Sequence, residues 1–167
     1  MRTNETLRVE RRRLTAVAAG AIAVGGYVHF CLYRRGYRAI PKIGTAFLLQ
    51  VLASVVVASA LLFFGRERAL RLGRLTVRSS FLMETVGLAL SLGTLAAFAL
   101  SRTSSGLLGF REGGLQPAPH ALITLVAELA ALVLLSAALV IDRRVPEAVP
   151  FLPPLVKRGH TRVFARR

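Results

Sequence analysis

The chain has 167 residues, of which 54% are hydrophobic, and a formal net charge of +15 from 23 Lys+Arg against 8 Asp+Glu. Soluble domains contain about 45–50% apolar residues even when glycine is counted among them, and here glycine comes in addition. High hydrophobicity and high charge can coexist only if they are segregated along the chain. The composition therefore excludes a disordered chain, a nucleic-acid-binding module with a solvated basic face and most soluble enzymes.

Four apolar runs without Lys, Arg or Pro predict the fold. Each has 20 to 22 residues, and about 20 are needed to cross the ~30 Å hydrocarbon core of a bilayer. Since lipid cannot satisfy free backbone groups, each run is predicted to be a helix. We therefore expect an all-α integral membrane protein, a bundle of four transmembrane helices over residues 14–141. The predicted spans are 14–33, 43–64, 81–100 and 121–141, preceded by a basic segment, 1–13, and followed by a tail rich in proline and arginine, 142–167.

The distribution of basic residues predicts the orientation. Of the 23 Lys+Arg, 17 lie in the two terminal segments or between the second and third runs. Because positive charge stays on the cytoplasmic side, we expect a multi-pass protein of the bacterial inner membrane with both termini in the cytoplasm. The alternative is a cleaved secretory or twin-arginine signal, since three arginines (11–13) precede an apolar stretch with small residues at 21 and 23. The run continues ten residues beyond position 23, which fits a spanning helix better.

The candidate site residues are polar groups inside the apolar runs, because ionisable and amide groups in a membrane are costly. They are His29, Gln50, Thr94 and Glu128, one on each predicted helix. The predicted topology places all four about 6–10 Å inside the outer ends of the helices. Small residues on the same faces predict that these groups face the bundle interior. Glu84, near the cytoplasmic start of its helix, is expected to reach water.

Two interpretations of this outer polar layer stay open. In the structural one, a protonated Glu128 hydrogen-bonds to His29 or Gln50 and holds helices together, at about 0.6–2 kcal/mol per bond. In the functional one, the layer binds a proton or a small ligand, because a His–Glu pair in a low dielectric titrates near neutral pH. The single cysteine, Cys31, can form neither an intramolecular disulfide nor a thiolate zinc site. We expect no metal and no cofactor.

The connection between the second and third runs mixes arginine with leucine and valine. Such a segment is typical of a polypeptide lying on the anionic inner leaflet, where each arginine contributes on the order of 1 kcal/mol. The expected contacts to anionic lipid come from Arg66, Arg68, Arg71, Arg74 and Arg78. No aromatic residues are interleaved with these arginines, so no nucleic acid is expected as a partner.

Three stretches carry a resemblance to known proteins: residues 29–33 (HFCLY), residues 36–50 (GYRAIPKIGTAFLLQ) and residues 106–112 (GLLGFRE). With them the chain resembles small four-helix integral membrane proteins of actinobacteria that have no assigned function. The resemblance covers mainly the first two helices and the third loop. It implies the four-helix fold and no particular activity.

The sequence favours a non-enzymatic protein, because it shows no nucleophile–base pair and no set of metal ligands. The first functional interpretation is a membrane scaffold or accessory subunit that acts through helix packing. Its expected partners are the lipid bilayer and another membrane protein or a second copy of the chain. The alternative is a proton-coupled or small-ligand-binding protein that uses His29, Gln50 and Glu128.

Overall fold

The computed structural model describes residues 2–64, 69–72 and 75–144, with side chains over 4–63 and 78–143. Four long helices dominate it: α1 (Arg2–Arg34), α2 (Ile43–Phe64), α3 (Ser79–Leu100) and α4 (His120–Arg144). A short 3₁₀ turn, Tyr37–Ala39, lies between α1 and α2. All four helices are long and apolar enough to cross a membrane. The predicted four-helix bundle is confirmed.

The helices form a four-membered ring in chain order. α1 packs against α2 and α4, and α3 packs against the same two helices, so α1 and α3 are diagonal. The α1–α2 and α3–α4 connections, residues 35–42 and 101–119, lie at one end of the bundle, which we call the loop end. The start of α1, the α2–α3 connection and the end of α4 lie at the other, the terminal end.

The buried positions of the helices recur with alternating steps of three and four residues. This spacing averages 3.5 residues, the repeat of left-handed coiled coils and of most four-helix bundles. It keeps one narrow seam of each helix against its neighbours over the whole length of the bundle. The buried seam consists of Arg11, Thr15, Ala18, Ile22 and Gly25 on α1; Ser54, Val57 and Leu61 on α2; Ser80, Glu84, Gly87, Ser91 and Thr94 on α3; and Thr124, Glu128, Ala131, Leu135, Ala138 and Asp142 on α4.

On α3 the distribution of polar and apolar residues is the reverse of that in a soluble protein, and α2 exposes large apolar side chains. The buried residues of α3 are all small or polar, whereas its apolar side chains Leu92 and Val86 are 59% and 40% exposed. On α2, Phe63 is 75% exposed and Val56 is 66% exposed. A water-soluble monomer does not expose apolar surface on this scale. In a bilayer these faces contact lipid, and small residues between the helices allow close packing.

The helices at the terminal end extend beyond the predicted spans. α1 begins at Arg2 rather than at residue 14, and α4 continues to Arg144 rather than ending at 141. Both extensions keep the buried seam going, because Arg11 and Asp142 face each other across it and form an ion pair. Most of the predicted tail, residues 145–167, lies outside the described residues.

The arginine-rich connection between α2 and α3 contains an antiparallel hairpin. Its strands are β1 (Ala69–Leu72) and β2 (Leu75–Arg78), paired from Ala69↔Arg78 to Leu72↔Leu75. The expected lipid-binding residues Arg66, Arg68 and Arg74 lie outside the described residues. The backbone of Arg71 belongs to β1, but its side chain is not described. Arg78 turns towards the bundle instead of standing free, with its guanidinium 3.4 Å from Asp142.

Candidate functional site

A cavity of about 310 Å³ opens between the four helices at the loop end. Each helix contributes one polar residue to the inner wall: His29, Gln50, Thr94 and Thr124. Further polar groups line the wall nearer the loops: Ser101, Arg102 and Glu112. Three of the four residues singled out in the sequence therefore line one cavity, and Thr124 takes the place expected for Glu128. The rest of the wall is mostly apolar and includes three aromatic rings, Phe47, Phe98 and Phe110.

Two side chains give the cavity wall a hydrogen-bond acceptor and a donor. Nδ1 of His29 lies 2.9 Å from the carbonyl oxygen of Gly25. Since a carbonyl can only accept, Nδ1 carries the proton, and in the neutral ring Nε2 is left as an acceptor. Nε2 of Gln50 is buried and has no hydrogen-bond partner, so its N–H groups are free to donate. The Thr94 hydroxyl is already occupied, because it donates to the Leu90 carbonyl at 3.0 Å.

An aromatic and ionic network closes the loop end of the cavity. Tyr37 stacks on Phe47 with ring centroids 4.9 Å apart, and it meets Phe110 edge-on at 5.9 Å. Its hydroxyl donates to the carboxylate of Glu112. Burial, together with this hydrogen bond and the negative charge of Glu112, raises the pKa of the Tyr37 phenol above its usual range. The bond ties the α1–α2 connection to the α3–α4 connection.

Arg102 organises the same network from the end of α3. It lies 3.4 Å from Glu112 and donates to the carbonyl oxygens of Gly114 at 3.0 Å and Gln116 at 2.8 Å. Its guanidinium also lies over the ring of Phe98, 3.5 Å from the centroid. A planar cation with five donors is suited to hold several loop groups at once. Arg102 therefore fixes the loop that covers the cavity.

A tight turn brings the covering loop back onto the helix ends. Leu107 and Phe110 exchange two backbone hydrogen bonds, of 2.9 and 2.8 Å. The two residues between them, Leu108 and Gly109, have φ angles of 52° and 83°. Positive φ at both central residues is typical of a type I′ turn, in which glycine is favoured. The turn places Leu107 and Phe110 on the cavity wall.

Glu128 does not line the cavity, and its predicted hydrogen bond to His29 or Gln50 is wrong. Its side chain is fully buried, and neither carboxyl oxygen has a hydrogen-bond partner. It packs against Gly25, where a Cβ atom would lie 2.7 Å from Oε1 of Glu128. Gly25 lies four residues before His29, which is about one helical turn, or roughly 6 Å, further from the loop end. The stagger of α1 against α4 thus separates Glu128 from His29.

The prediction that Glu84 reaches water is also wrong, because it belongs to a buried polar cluster at the terminal end. Only 1% of Glu84 is exposed. Thr15 donates to its Oε1 at 3.0 Å, and Arg11 lies 3.7 Å from the same atom. Arg11 also donates to Asp142 at 2.6 Å and to Ser80 at 3.0 Å. Because α1 extends beyond the predicted span, it brings Arg11 to Glu84 and Asp142. The two acidic side chains are therefore buried from water but still lie beside a positive charge.

Sequence reasoning missed the terminal-end cluster, although a signal was present. Arg11 and Thr15 continue the three–four spacing of α1 upstream of the apolar run, and Asp142 continues that of α4 downstream. A search for apolar runs stops at the first charge and discards this continuation. Within the described residues, no group of three or more His, Cys, Asp or Glu could hold a metal ion.

No known protein-family model matches the chain, and no match is found among curated proteins or solved structures. The resemblance to small actinobacterial membrane proteins therefore stays a prediction.

Proposed function

We propose that this protein binds a small, uncharged, largely apolar molecule in the cavity at the loop end. The observation that carries the proposal is the cavity of about 310 Å³, with its aromatic wall and a few polar groups. Ligand sites have this character, and volumes of about 300–1,000 Å³ are typical. The size is at the lower end of that range, so the expected ligand is compact.

The hydrogen-bonding groups of the wall define the ligand further. Gln50 can donate through Nε2, and His29 can accept through Nε2. A hydroxyl or amide group on an apolar body satisfies both. A charged ligand is disfavoured, because the charges nearest the cavity, Arg102 and Glu112, already pair with each other at 3.4 Å. We therefore expect an alcohol, a phenol or a neutral amide.

A matched pair of probes tests this function. p-Cresol and p-xylene have nearly the same shape, but only p-cresol carries a hydroxyl. Binding to the purified chain in detergent should be about 2–10-fold tighter for p-cresol, the equivalent of one net hydrogen bond. Gln50→Leu should reduce this preference, whereas Leu49→Ala, on the lipid-facing side of α2, should preserve it. If neither probe binds, or if p-xylene binds as tightly as p-cresol, the proposed site is refuted.

The membrane placement completes the proposal. The basic residues support a bacterial inner membrane protein with its termini in the cytoplasm and its loop end, including the cavity, on the outer side. Reporter fusions after Arg167 and within 65–78 should be cytoplasmic, and a fusion within 103–116 should be periplasmic. A periplasmic C-terminus would overturn this orientation.

The other predictions of function stay predictions. They are the scaffold or accessory-subunit role, the partnership with another membrane protein or a second copy, and the binding of anionic lipid by the arginine-rich connection. No contact among the described residues favours the scaffold role over ligand binding.

A further inference from the structure

The bundle contains two buried carboxyl groups in opposite surroundings. Glu84 is 1% exposed and Glu128 is fully buried. Glu84 has a hydrogen bond from Thr15 and a cation, Arg11, within 3.7 Å. Glu128 has no ion pair among the described residues, and both of its oxygens lack a hydrogen-bond partner. A nearby cation therefore compensates the burial of Glu84, and no such charge compensates the burial of Glu128.

A lone carboxylate in a dry interior is too costly to persist, so a buried carboxyl without a counter-charge takes up a proton. Even the neutral group destabilises the fold when its hydrogen bonds are unmade. Leucine would fill the same space without this cost, and glutamine would keep the shape without an ionisable group. The Ser91 hydroxyl on α3 is close enough to act on the Glu128 carboxyl as a hydrogen-bonding group. No cation among the described residues offsets the burial of the carboxyl, so packing alone does not account for an ionisable group here.

Glu128 belongs to a second polar layer, one helical turn below the cavity. The layer consists of Gly25, Ser54, Ser91 and Glu128, one residue from each helix. Ser54 and Ser91 are fully buried, and their hydroxyls also lack hydrogen-bond partners. Each of the four lies three or four residues from a cavity-lining residue of the same helix. The absence of a side chain at Gly25 leaves the space that the carboxyl occupies.

An apolar layer closes the bundle on the other side of Glu128. The side chains of Ile22, Leu61 and Leu135 converge on Gly87, where a Cβ atom would lie 2.8 Å from Leu135 and 3.5 Å from the other two. All three side chains are at most 2% exposed. They separate Glu128 from the ionic cluster around Arg11. The shorter polar route from Glu128 leads through Thr124, whose hydroxyl is unpartnered, into the cavity.

We propose that Glu128 is a proton-binding site that exchanges its proton with the loop end through the cavity. On the inner side of α1 the nearest titratable group is His29, one turn towards the loop end, since Tyr27 is 67% exposed on the outer face. α2 and α3 present only the hydroxyls of Ser54 and Ser91 at its level. On α3, Glu84 follows two turns further towards the terminal end, about 10 Å away along the axis. Proton binding at Glu128 requires no ligand in the cavity, so this proposal can be tested independently of the proposed function.

Dicyclohexylcarbodiimide, an apolar reagent for protonated carboxyl groups, tests the site without any mutation. The carboxyl adds across a C=N bond of the reagent: its oxygen bonds to the central carbon, its proton moves to nitrogen, and rearrangement leaves a stable N-acylurea. In native membranes we expect the label at Glu128 and not at Glu84, located by mass spectrometry. The label should decrease as pH rises, because only the protonated acid reacts.

Three results would overturn the site. They are labelling of Glu84 without Glu128, an unlabelled Glu128 at neutral pH, and protection of Glu128 by sodium but not by potassium. The last would show an alkali-metal site in place of a proton site. Glu84 serves as the internal control, since it is equally buried but paired with a cation.

Infrared spectroscopy tests the route. The C=O stretching band of protonated Glu128 is identified as the band that is absent from the spectrum of the Glu128→Gln variant. In the wild-type protein this band should shift when the membranes are transferred to D₂O, and the rate of the shift measures proton exchange. Gly93 lines the cavity with open space around its missing side chain, and Gly20 has the same open space on an exposed face of α1. Gly93→Phe should therefore slow the exchange at least several-fold, while Gly20→Phe should not. Equal exchange rates in the two variants would refute the route through the cavity.

Discussion

Replacing Arg11 with methionine tests the buried ionic cluster at the terminal end. Arg11 is 3% exposed, and its guanidinium donates to Asp142 at 2.6 Å and lies 3.7 Å from Glu84. Methionine keeps the apolar length of the side chain and removes the charge. The variant removes the positive charge that Glu84 and Asp142 share. Asp142 keeps one cationic neighbour, because Arg78 lies 3.4 Å from it.

The expected loss follows from the burial of the cluster. Removing one partner of a buried ion pair typically costs about 3–5 kcal/mol, because it leaves an uncompensated charge. Arg78 can offset part of the loss at Asp142, but no second cation lies within salt-bridge distance of Glu84 among the described residues. We therefore expect the lower part of that range, about 3 kcal/mol.

The assay is the free energy of unfolding in mixed micelles titrated with sodium dodecyl sulfate. Arg12 is the matched control, since it is the next residue on the same helix and is exposed. Arg12→Met should change the free energy by less than about 0.5 kcal/mol. The double variant Arg11→Met/Asp142→Asn should lose less than the sum of the single variants, by about 0.5–3 kcal/mol. Equal effects of Arg11→Met and Arg12→Met would refute the buried cluster.

Two further predictions concern the packing of α1 and the covering loop. Gly26→Ala should destabilise the bundle, because the new Cβ would lie 2.6 Å from the Cβ of Ser54 on α2. Gly20→Ala has open space around the new Cβ and should stabilise the helix by up to about 1 kcal/mol. Equal unfolding free energies of the two variants would contradict the close packing at Gly26. Glu112→Gln should lower the pKa of Tyr37 and increase its ultraviolet phenolate signal at a given alkaline pH, because the carboxylate charge that raises this pKa is removed. Since the folded pKa is the higher one, the contribution of Tyr37 to stability is complete below about pH 10 and is lost as pH rises further. Identical titration curves would show that Glu112 does not contact the phenol.

The four long helices were predictable from the sequence because they depend on local composition. An apolar run without charge has no stable alternative to a helix in lipid. The predicted second span, 43–64, coincides with α2, and the third span is extended by only two residues, Ser79 and Ser80.

The registers of the helices were not predictable from composition. His29 and Glu128 were expected at one level, and they lie about one turn apart because the stagger of α1 and α4 is set by packing along their whole length. The burial of Arg11 was missed for a related reason. A charged side chain next to an apolar run is usually solvated. Two features distinguish Arg11 from its neighbour Arg12: its spacing relative to Thr15 and the presence of Asp142 on another helix.

Reactivity of engineered cysteines tests the central claim that the bundle encloses a cavity that water reaches from the loop end, while its outer faces contact lipid. Thr94 is 9% exposed and lines the cavity, whereas Leu92, two residues earlier on α3, is 59% exposed on the outer surface. In native membranes, and with Cys31 replaced by serine, a small charged methanethiosulfonate should modify Thr94→Cys faster than Leu92→Cys. Thiols react as thiolates, which need water, and lipid covers Leu92. Faster modification of Leu92→Cys, the order expected of a soluble protein, would contradict the account.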